Sequence, residues 1–470
     1  MTAEEFRKHA HELVEWMARY MENAEEYPVK SHVKPGEILN RLPDNPPLKP
    51  ESFDSLMKDF EEIIMPGITH WQSPNFFAYF PANTSPPSIL AEMITSTLSP
   101  QCMIWETSPA AAELEEKMMI WLRDLIGLPS GFDGVIQDTA STSTLAAIIT
   151  ARERLSGFRI NEDGAENSGT LRIYCSEQAH SSVEKAVKIS GIGRKNLVKV
   201  SVKKDFSMDA LKLREAVEID KARGYHPCCV IATLGTTGTT AVDPLKAIGE
   251  ICAENDLWLH VDAAMAGTAL ILPEFQWMLD GREYIDSLVF NPHKWMFTGF
   301  DCSAFFVKNP EHLIKTFEIL PEYLKTRTRG TVNDYRDWGI PLGRRFRALK
   351  LWSVIRMYGV EGLREKIRYH IQLAAKLSEM ISQEPDFEIL APVTINVVCF
   401  RFRPSGLDDN EINRINRELN HRLNDTGKIY LTHTVINGIY TLRMVTGQTN
   451  VRTEHVQRAW DLIRTTARAV

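Results

Sequence analysis

The stretch Ser287-Leu-Val-Phe-Asn-Pro-His-Lys-Trp-Met-Phe297 lies downstream of the motif His260-Val-Asp262-Ala-Ala264. Apolar runs precede both chemically active residues, and they predict a buried strand that ends near Asp262 and a second strand that leads to Lys294. Ligands bind at the carboxyl ends of the strands in open α/β sheets. Together the two stretches predict an α/β fold whose sheet edge brings an amine and a carboxylate to one site.

Lys294 is a candidate Schiff-base residue, because lysine readily lowers its proton affinity or is held as an imine. Pyridoxal phosphate can use both groups, since the lysine holds its aldehyde and the anion keeps its pyridine nitrogen protonated. A lone lysine is commonly a surface residue, and an acid after a strand is often a cap or turn former. Aromatic residues surround Lys294 in the sequence, at Phe290, Trp295, Phe297 and Phe300. An unpaired ammonium is expensive in such a setting, which leaves the two interpretations balanced.

The composition is that of a globular protein large enough for more than one domain. Of its 470 residues, 44% are hydrophobic and 24% are charged. The formal charge of -7 argues against nucleic acid as the main partner. Seven dispersed cysteines without metal-ligand spacing predict reduced thiols, no metal site and a cytoplasmic protein. The polar N-terminus and the lack of a long apolar run argue against a secreted or membrane-embedded role.

Three segments are expected along the chain, at residues 1–85, 86–360 and 361–470. Residues 3–22 have apolar positions at helical spacing and are followed by a proline-rich extended stretch, so the first segment looks like an arm that packs on another surface, for example a second subunit. The run from Trp71 to Pro81 is an aromatic cluster, which fits the wall of a pocket for a flat ligand or, more commonly, simple core. The last segment is expected to be a smaller α+β domain.

Helical patterns alternate with short β-rich runs between about residues 86 and 310. The expected strands are 135–137, 171–175, 197–200, 229–233, 257–261, 287–290 and 303–307. This alternation predicts a mainly parallel seven-stranded sheet covered by helices.

Further polar groups follow three of these strands. Thr139-Ala-Ser-Thr142 runs into a helix expected to begin near Thr142, where backbone amides and hydroxyls can hold a phosphate, although an ordinary N-cap explains the same residues. Thr237 and His180 follow two other strands, and the imidazole can stack on a planar ring. A plain turn and a satisfied structural histidine explain these two equally well. The convergence of five strand ends at one edge is a stronger signal than any single motif.

At these residues the chain resembles the group II pyridoxal-phosphate-dependent decarboxylases and, within them, the aromatic L-amino-acid decarboxylases. The resemblance covers nearly the whole length. Its most specific motifs are Asn291-Pro-His-Lys294-Trp295, His260-Val-Asp262-Ala-Ala264, Gln178-Ala-His180-Ser-Ser-Val183, Ser108-Pro-Ala-Ala-Ala-Glu-Leu-Glu115, and Asp334-Tyr-Arg336 through Ile340-Pro-Leu-Gly-Arg-Arg-Phe-Arg347. It implies a fold-type-I (aspartate-aminotransferase-like) large domain, an N-terminal helical arm, a small α+β C-terminal domain and a homodimer with shared active sites.

The resemblance also implies roles for individual residues. Lys294 is expected to hold the aldehyde of pyridoxal 5'-phosphate, Asp262 to pair with its pyridinium nitrogen, and His180 to stack on its ring and help position the substrate. The other expected cofactor contacts are Ala140, Ser141, Thr237, Ala264, Asn291 and His293, with Leu342 and Gly343 supplied across the dimer. Tyr323 resembles the tyrosine of a mobile catalytic loop that protonates the α-carbon after carbon dioxide leaves, although a surface tyrosine explains it by sequence alone.

The activity that the resemblance implies is decarboxylation of an aromatic L-amino acid to the arylalkylamine and carbon dioxide. The residues that resemble the family's aromatic substrate wall are Trp71, Tyr79, Phe80 and Pro81. Departures from the family pattern bear on substrate choice, and they are Ala82, Pro100-Gln-Cys-Met-Ile-Trp105, Asp138 and Met265. The alternatives are an aromatic aldehyde synthase, a decarboxylase of another amino acid such as histidine or glutamate, and a catalytically silent cofactor-binding protein.

Overall fold

The computed structural model describes residues 1–166, 168–319 and 330–470. They form two compact units. The first unit consists of Met1–Pro81, Gln372–Leu390 and Val398–Val470, and the second of Ala82–Ile371 and Ala391–Val397. The three-segment division expected at residues 85 and 360 stays a prediction.

Helices and strands are numbered here in chain order. The helices are α1 (Ala3–Glu22), α2 (Phe53–Asp59), α3 (Pro86–Leu98), α4 (Pro109–Ile126), α5 (Ala140–Ser156), α6 (Ile160–Asp163), α7 (Ser181–Ile189), α8 (Ala210–Ala222), α9 (Leu245–Glu254), α10 (Pro292–Trp295), α11 (Pro310–Phe317), α12 (Arg347–Ser382), α13 (Asp409–Asp425) and α14 (Thr453–Ala467). The strands are β1 (Asp133–Gln137), β2 (Leu171–Ser176), β3 (Leu197–Val200), β4 (His226–Thr233), β5 (Trp258–Asp262), β6 (Ser287–Phe290), β7 (Ser303–Val307), β8 (Phe387–Ile389), β9 (Val397–Phe402), β10 (Thr432–Ile436) and β11 (Ile439–Val445). Helix α12 is kinked at Gly359, whose φ of 67° lies outside the helical region.

The second unit is built on a seven-stranded sheet with the order β1-β7-β6-β5-β4-β2-β3, as found in the described part of the chain. Strands β2 to β6 pair in parallel, whereas β7 is antiparallel to both of its neighbours, β6 and β1. The mainly parallel seven-stranded sheet and the α/β class predicted from the sequence are confirmed. Because β1, β2, β4, β5 and β6 run in one direction, their carboxyl ends share one edge.

Helices α5 and α7 cover one face of this sheet. Apolar side chains of both helices, among them Ile148 and Val183, form one buried cluster with Ile173 of β2 and Ile231 of β4. Burying each such side chain contributes roughly 1.5–3 kcal/mol, which holds the N-termini of the two helices at the carboxyl edge of the sheet.

The first unit contains a four-stranded sheet with the order β10-β11-β9-β8. Phe387 and Phe400 of this sheet pack on Trp460 of α14, with ring centroids 4.9 and 6.1 Å apart. Strands β8 and β10 were not expected from the sequence. Strand β8 has only three residues, and in β10 only the last of five residues is buried. Helix α1 has a capping box between Thr2 and Glu5 and no buried residue in the described chain.

Within the described residues, no helix has the length and apolar character that crossing a bilayer requires.

Candidate active site

Asp262 is the last residue of β5, and both its side chain and its backbone carbonyl are held by hydrogen bonds. Its carboxylate oxygen Oδ1 accepts the N–H of Ala264 at 3.0 Å, and its backbone carbonyl accepts the N–H of Leu234 from the end of β4 at 2.9 Å. Only 5% of the residue is exposed. The structure therefore holds a buried carboxylate at the carboxyl edge of the sheet, where the sequence predicted it.

Lys294 lies in the short helix α10, which directly follows β6. The N–H of Asn291 donates to the carbonyl of Ala264 at 2.9 Å, and the N–H of Lys294 donates to the carbonyl of Asn291 at 2.9 Å. The side-chain oxygen of Asn291 accepts the hydroxyl of Ser303 at 2.7 Å. These bonds tie the segment that carries the lysine to the segment that carries Asp262.

His180 is the N-cap residue of α7 and follows β2. Its Nδ1 accepts the N–H of Ser182 at 3.1 Å and lies 2.8 Å from the Ser182 hydroxyl. Burial lowers the pKa of His180 below its usual value, Lys294 lowers it further, and Asp262 opposes both. Asp262 and Lys294 thus both lie within electrostatic reach of His180.

Two further histidines are buried and uncharged beside this group. His260 lies two residues before Asp262 on the same face of β5, with ring nitrogens 2.9 Å from Ser287 Oγ and 3.4 Å from Thr144 Oγ1 of α5. Burial lowers the pKa of His260 to about 4. His293 accepts the N–H of Cys302 at 2.8 Å, and burial lowers its pKa to about 3. Both rings are held by hydrogen bonds beside the site, and the expected cofactor contact of His293 stays a prediction.

The N-terminus of α5 is the predicted phosphate site. The helix begins at Ala140, two residues earlier than expected, because the hydroxyl of Thr139 caps it by accepting the N–H of Thr142 at 3.4 Å. Ser141 is exposed in the first turn. The plain N-cap interpretation of Thr139 is correct, while the free amides and positive dipole end of the first turn remain suited to an anion.

Thr237 is exposed in the loop that follows β4. Gly235 makes this loop possible, because its φ is +80° and a Cβ there would lie 2.5 Å from the Cβ of Ala266. The neighbouring Thr236 points inward and its hydroxyl accepts the N–H of Ala241 at 3.1 Å. Thr237 is therefore the threonine of this pair that faces outward from a rigid turn.

Thr233, the last residue of β4, was missed by the sequence reasoning. It is the Cα partner of Asp262 across the parallel β4–β5 pair. It is 5% exposed, and its hydroxyl oxygen has no hydrogen-bond partner among the residues that the structure describes. The signal available in the sequence was its position at the end of a predicted strand.

Leu342 and Gly343 lie on the exposed surface of the second unit. The next residue, Arg344, is anchored there, because its N–H donates to the side chain of Gln101 at 2.8 Å and its carbonyl accepts the N–H of Cys102 at 3.1 Å. Tyr323 lies outside the described residues, so its predicted role stays a prediction.

The predicted aromatic wall belongs to the first unit. Trp71 and Tyr79 stack with centroids 5.6 Å apart, and the Tyr79 hydroxyl lies 3.3 Å from that of Tyr430. Arg443 donates to the carbonyl of Tyr79 at 2.8 Å and lies over the ring of Phe80 at 4.7 Å. Pro81 is buried next to them. Tyr430 and Arg443 are additional supports that the sequence did not reveal, because they are more than 300 residues away in the chain.

The donor set at the sheet edge fits pyridoxal 5'-phosphate. A lysine amine, a buried carboxylate, an imidazole and a helix N-terminus match an aldehyde, a pyridinium, a flat ring and a phosphate. The buried Thr233 hydroxyl, which has no partner among the described residues, can bond a polar group of a ligand.

Comparison with known proteins agrees with this chemistry. The sequence model of the pyridoxal-dependent decarboxylase conserved domain matches residues 35–403. The chain is 44% identical to the aromatic-L-amino-acid decarboxylase of Cavia porcellus, covering 100% of this chain and 99% of the relative. It is 42% identical to the phenylacetaldehyde synthase of Petunia hybrida, covering 98% and 94%. The crystal structure of Oryza sativa TDC with PLP and tryptamine superposes with a TM-score of 0.97 at 36% identity, covering 100% of this chain and 99% of that one.

Proposed function

Because the chain belongs to the pyridoxal-dependent decarboxylase family, we propose that it converts an aromatic L-amino acid to the arylalkylamine and carbon dioxide. The observation that carries this proposal is the placement of Lys294, Asp262 and His180 at or just after the ends of strands β6, β5 and β2, on one sheet edge. The backbone bond from Asn291 to Ala264 ties the lysine segment to the Asp262 segment. The names of the relatives support an aromatic substrate.

Bound pyridoxal phosphate supplies an electron sink for the bond that breaks at the substrate's α-carbon. Lys294 would hold the aldehyde of the cofactor through its amine. Asp262 would pair with the protonated pyridine nitrogen. Its contact with the N–H of Ala264 orients the carboxylate for this task.

His180 acts as an uncharged ring with its proton on Nε2. A backbone N–H can only donate, so the N–H of Ser182 defines Nδ1 as an acceptor and leaves the proton on the other nitrogen. The ring would stack on the cofactor and would present the Nε2 proton to the substrate carboxylate. An uncharged ring does not neutralise that carboxylate, which keeps the leaving group free to depart as carbon dioxide.

The cofactor phosphate is held by groups that the sheet and its helices present. We assign to the cofactor or its phosphate the first turn of α5 with Ala140 and Ser141, together with Thr237 and Asn291. Ala264 and His293 complete the walls of the site. Leu342 and Gly343 are exposed, which supports their contact with the phosphate of a second protomer in a cytoplasmic homodimer.

The aromatic ring of the substrate packs on Trp71, Tyr79, Phe80 and Pro81. Their mutual stacking and the Arg443 contacts make this wall rigid, which suits a flat side chain. The departures from the family pattern at Ala82 and Met265 bear on which aromatic substrate the protein prefers.

An aromatic aldehyde synthase is the second candidate, since the Petunia hybrida relative carries that name. Tyr323 favours the decarboxylase, because a phenol at that loop position can protonate the α-carbon once carbon dioxide has left. The two activities differ in products, for the synthase also releases ammonia and hydrogen peroxide.

The test is to supply the protein with pyridoxal phosphate and a panel of aromatic L-amino acids, together with histidine and glutamate. We expect carbon dioxide and the arylalkylamine in equal amounts, and a visible absorbance band that Lys294→Ala abolishes. Lys308→Ala, an exposed lysine after β7, is the matched control and keeps the band. Aldehyde with peroxide would identify the synthase, products from histidine or glutamate alone would exclude the aromatic class, and a band without any product would indicate a silent binder.

A further inference from the structure

The hairpin between β10 and β11 turns on two exposed residues, Asn437 and Gly438. Strand β10 ends at Ile436 and β11 begins at Ile439, and these two isoleucines pair across the turn. The φ angles of the turn residues are both positive, 51° for Asn437 and 81° for Gly438. Positive φ at both central residues is the geometry of a type I′ turn, for which Asn-Gly is a preferred sequence. The sequence contains no other asparagine followed directly by glycine.

The same dipeptide favours loss of the asparagine side-chain amide as ammonia, because glycine has no side chain to shield its backbone nitrogen. The N–H of Gly438 has no acceptor among the residues that the structure describes. In the reaction, the Gly438 nitrogen bonds to Cγ of Asn437 while the bond from Cγ to the amide nitrogen breaks. That nitrogen leaves as ammonia with the proton of the Gly438 N–H. Water then opens the resulting ring at either carbonyl and gives aspartate or isoaspartate.

Asn413 of α13 holds the turn in place. Its Nδ2 donates to the carbonyl of Gly438 at 3.0 Å, and its Oδ1 accepts the N–H of Tyr440 at 2.7 Å. For the ring to close, the peptide link between Asn437 and Gly438 has to rotate out of its turn geometry. The bonds from Asn413 oppose that rotation, so Asn413 limits how often the reactive conformation is reached.

We propose that Asn437 is a site of spontaneous deamidation, that Asn413 restrains the reaction, and that isoaspartate at this position loosens strand β10. Isoaspartate carries the main chain through its side-chain carbons and thereby lengthens the backbone of a two-residue turn that sets the register of the hairpin. The only buried residue of β10 is Ile436, directly before the turn. Strand β10 is also the edge strand of its sheet as the described residues form it, so β11 is its only neighbour there.

The opposite end of β10 supports the aromatic wall. The hydroxyl of Thr432 accepts the N–H of Tyr79 at 3.3 Å. Thr432 pairs with Arg443, which donates to the carbonyl of Tyr79 at 2.8 Å. A loosened β10 therefore weakens the hold on the Tyr79 amide. The modification itself is independent of the proposed function, whereas an effect of the wall on substrate binding rests on it.

The experiment incubates the purified, cofactor-loaded protein at mildly alkaline pH for several weeks. Peptide mass spectrometry, with fragmentation that distinguishes isoaspartate from aspartate, follows every asparagine. Hydrogen exchange of the Tyr79 backbone amide in fresh and aged samples reports on β10. Asn413→Ala removes both restraining bonds, and Asn410→Ala, an exposed asparagine of the same helix, is the matched control. Asn437→Gly keeps a residue suited to positive φ and has no amide to lose.

We expect Asn437 to be modified before any other asparagine. Asn413→Ala should accelerate this reaction about two- to tenfold, because a hydrogen bond that holds the turn is lost, whereas Asn410→Ala should leave the rate unchanged. Ageing should speed exchange of the Tyr79 amide in the wild type but not in Asn437→Gly. Asn413→Asp keeps the acceptor for the Tyr440 N–H and loses only the donor to Gly438, so it tests the restraint where fresh Asn413→Ala melts as an unfolded chain.

An intact Asn437, or another asparagine that reacts faster, would refute the site. Equal rates in the Asn413 and Asn410 variants would refute the restraint, and equal Tyr79 exchange in aged wild type and aged Asn437→Gly would refute the link to β10. None of these measurements uses turnover. A protein that releases no carbon dioxide would therefore refute the proposed function alone, and turnover with an intact Asn437 would refute only the present inference.

Discussion

The Nδ1 atom of His180 accepts the backbone N–H of Ser182 at 3.1 Å, so the same ring whose pKa responds to Asp262 and Lys294 also caps helix α7. One side chain thereby performs a structural and a chemical task. The cap fixes the ring's orientation and its tautomer, and Ser182 supplies a second contact at 2.8 Å through its hydroxyl.

The two tasks of His180 can be separated by substitution. His180→Ala removes the cap and should lower the free energy of unfolding by about 0.5–2 kcal/mol. His180→Asn keeps a side chain that caps helices well and should restore most of that loss. Both variants lack the ring, so both should lose turnover by at least about tenfold. Denaturant unfolding and initial rates check this, and full activity in His180→Asn would contradict the stacking role.

The Ser182 hydroxyl stabilises the uncharged form of His180, because it lies against the nitrogen that would have to accept a proton. The pKa of His180 is already below its usual value, so the ring is uncharged at neutral pH and activity should fall only on the acid side. Ser182→Ala should move this acid limb to higher pH, whereas Ser181→Ala, an exposed neighbour, should leave it in place. The pH dependence of kcat/KM and histidine NMR titrations measure the shift, and a downward shift would contradict the assigned tautomer.

Glu115 and Arg344 form a buried ion pair that anchors the segment carrying Leu342 and Gly343. Both side chains are 3% exposed, and Glu115 also accepts the N–H of Ile136 at 2.8 Å. Glu115→Ala leaves the arginine charge buried without its partner and should destabilise the protein by about 3–5 kcal/mol.

The control is a pair at the surface. Lys212 and Glu215 have side chains 52% and 57% exposed, so Glu215→Ala should change stability by less than about 1 kcal/mol. Urea unfolding of the cofactor-loaded variants compares the two pairs. Similar losses of stability in Glu115→Ala and Glu215→Ala would show that burial does not determine how strongly the Glu115–Arg344 pair stabilises the protein.

Three buried histidines make the protein less stable as the pH falls. Burial lowers the pKa of His260 to about 4 and those of His293 and His370 to about 3. Above the unfolded pKa of about 6.5 neither state binds the proton, whereas below it only the unfolded chain does, so this stability is lost progressively from about pH 6.5 downwards. Asp243 has the opposite effect, because burial raises its pKa to about 6. Below about pH 6 the folded protein binds this proton more readily than the unfolded chain, which adds stability as the pH falls.

Melting temperatures between pH 7.5 and 4.5 measure this dependence. His370→Gln should make the melting temperature depend less steeply on pH, because unfolding of this variant takes up about one proton fewer. The substitution also removes the hydrogen bond that Trp295 donates to His370 at 2.9 Å. An unchanged slope in this variant would contradict the assignment of an uncharged buried His370.

The local pattern of the sequence was sufficient for the sheet and for the two central residues of the site. Strands β3, β6 and β7 have the predicted bounds, and β2, β4 and β5 differ by one to three residues at an end. Asp262 was found because it directly follows an apolar run, and Lys294 because it lies four residues after the end of another. The end of a strand can be recognised from neighbouring residues alone, and in a parallel sheet the strand ends share one edge. The short strands β8 and β10 carry too little apolar pattern for the same reasoning.

The tertiary structure alone decided which polar atoms have partners. The sequence places Thr233 at the end of a strand, but only the pairing of β4 with β5 sets its hydroxyl beside Asp262 and away from every described partner. Likewise, Tyr430 and Arg443 join the aromatic wall across more than 300 residues. Secondary structure follows from the spacing of residues along the chain, whereas hydrogen-bond partners and burial depend on which distant segments pack together, and no local pattern records that.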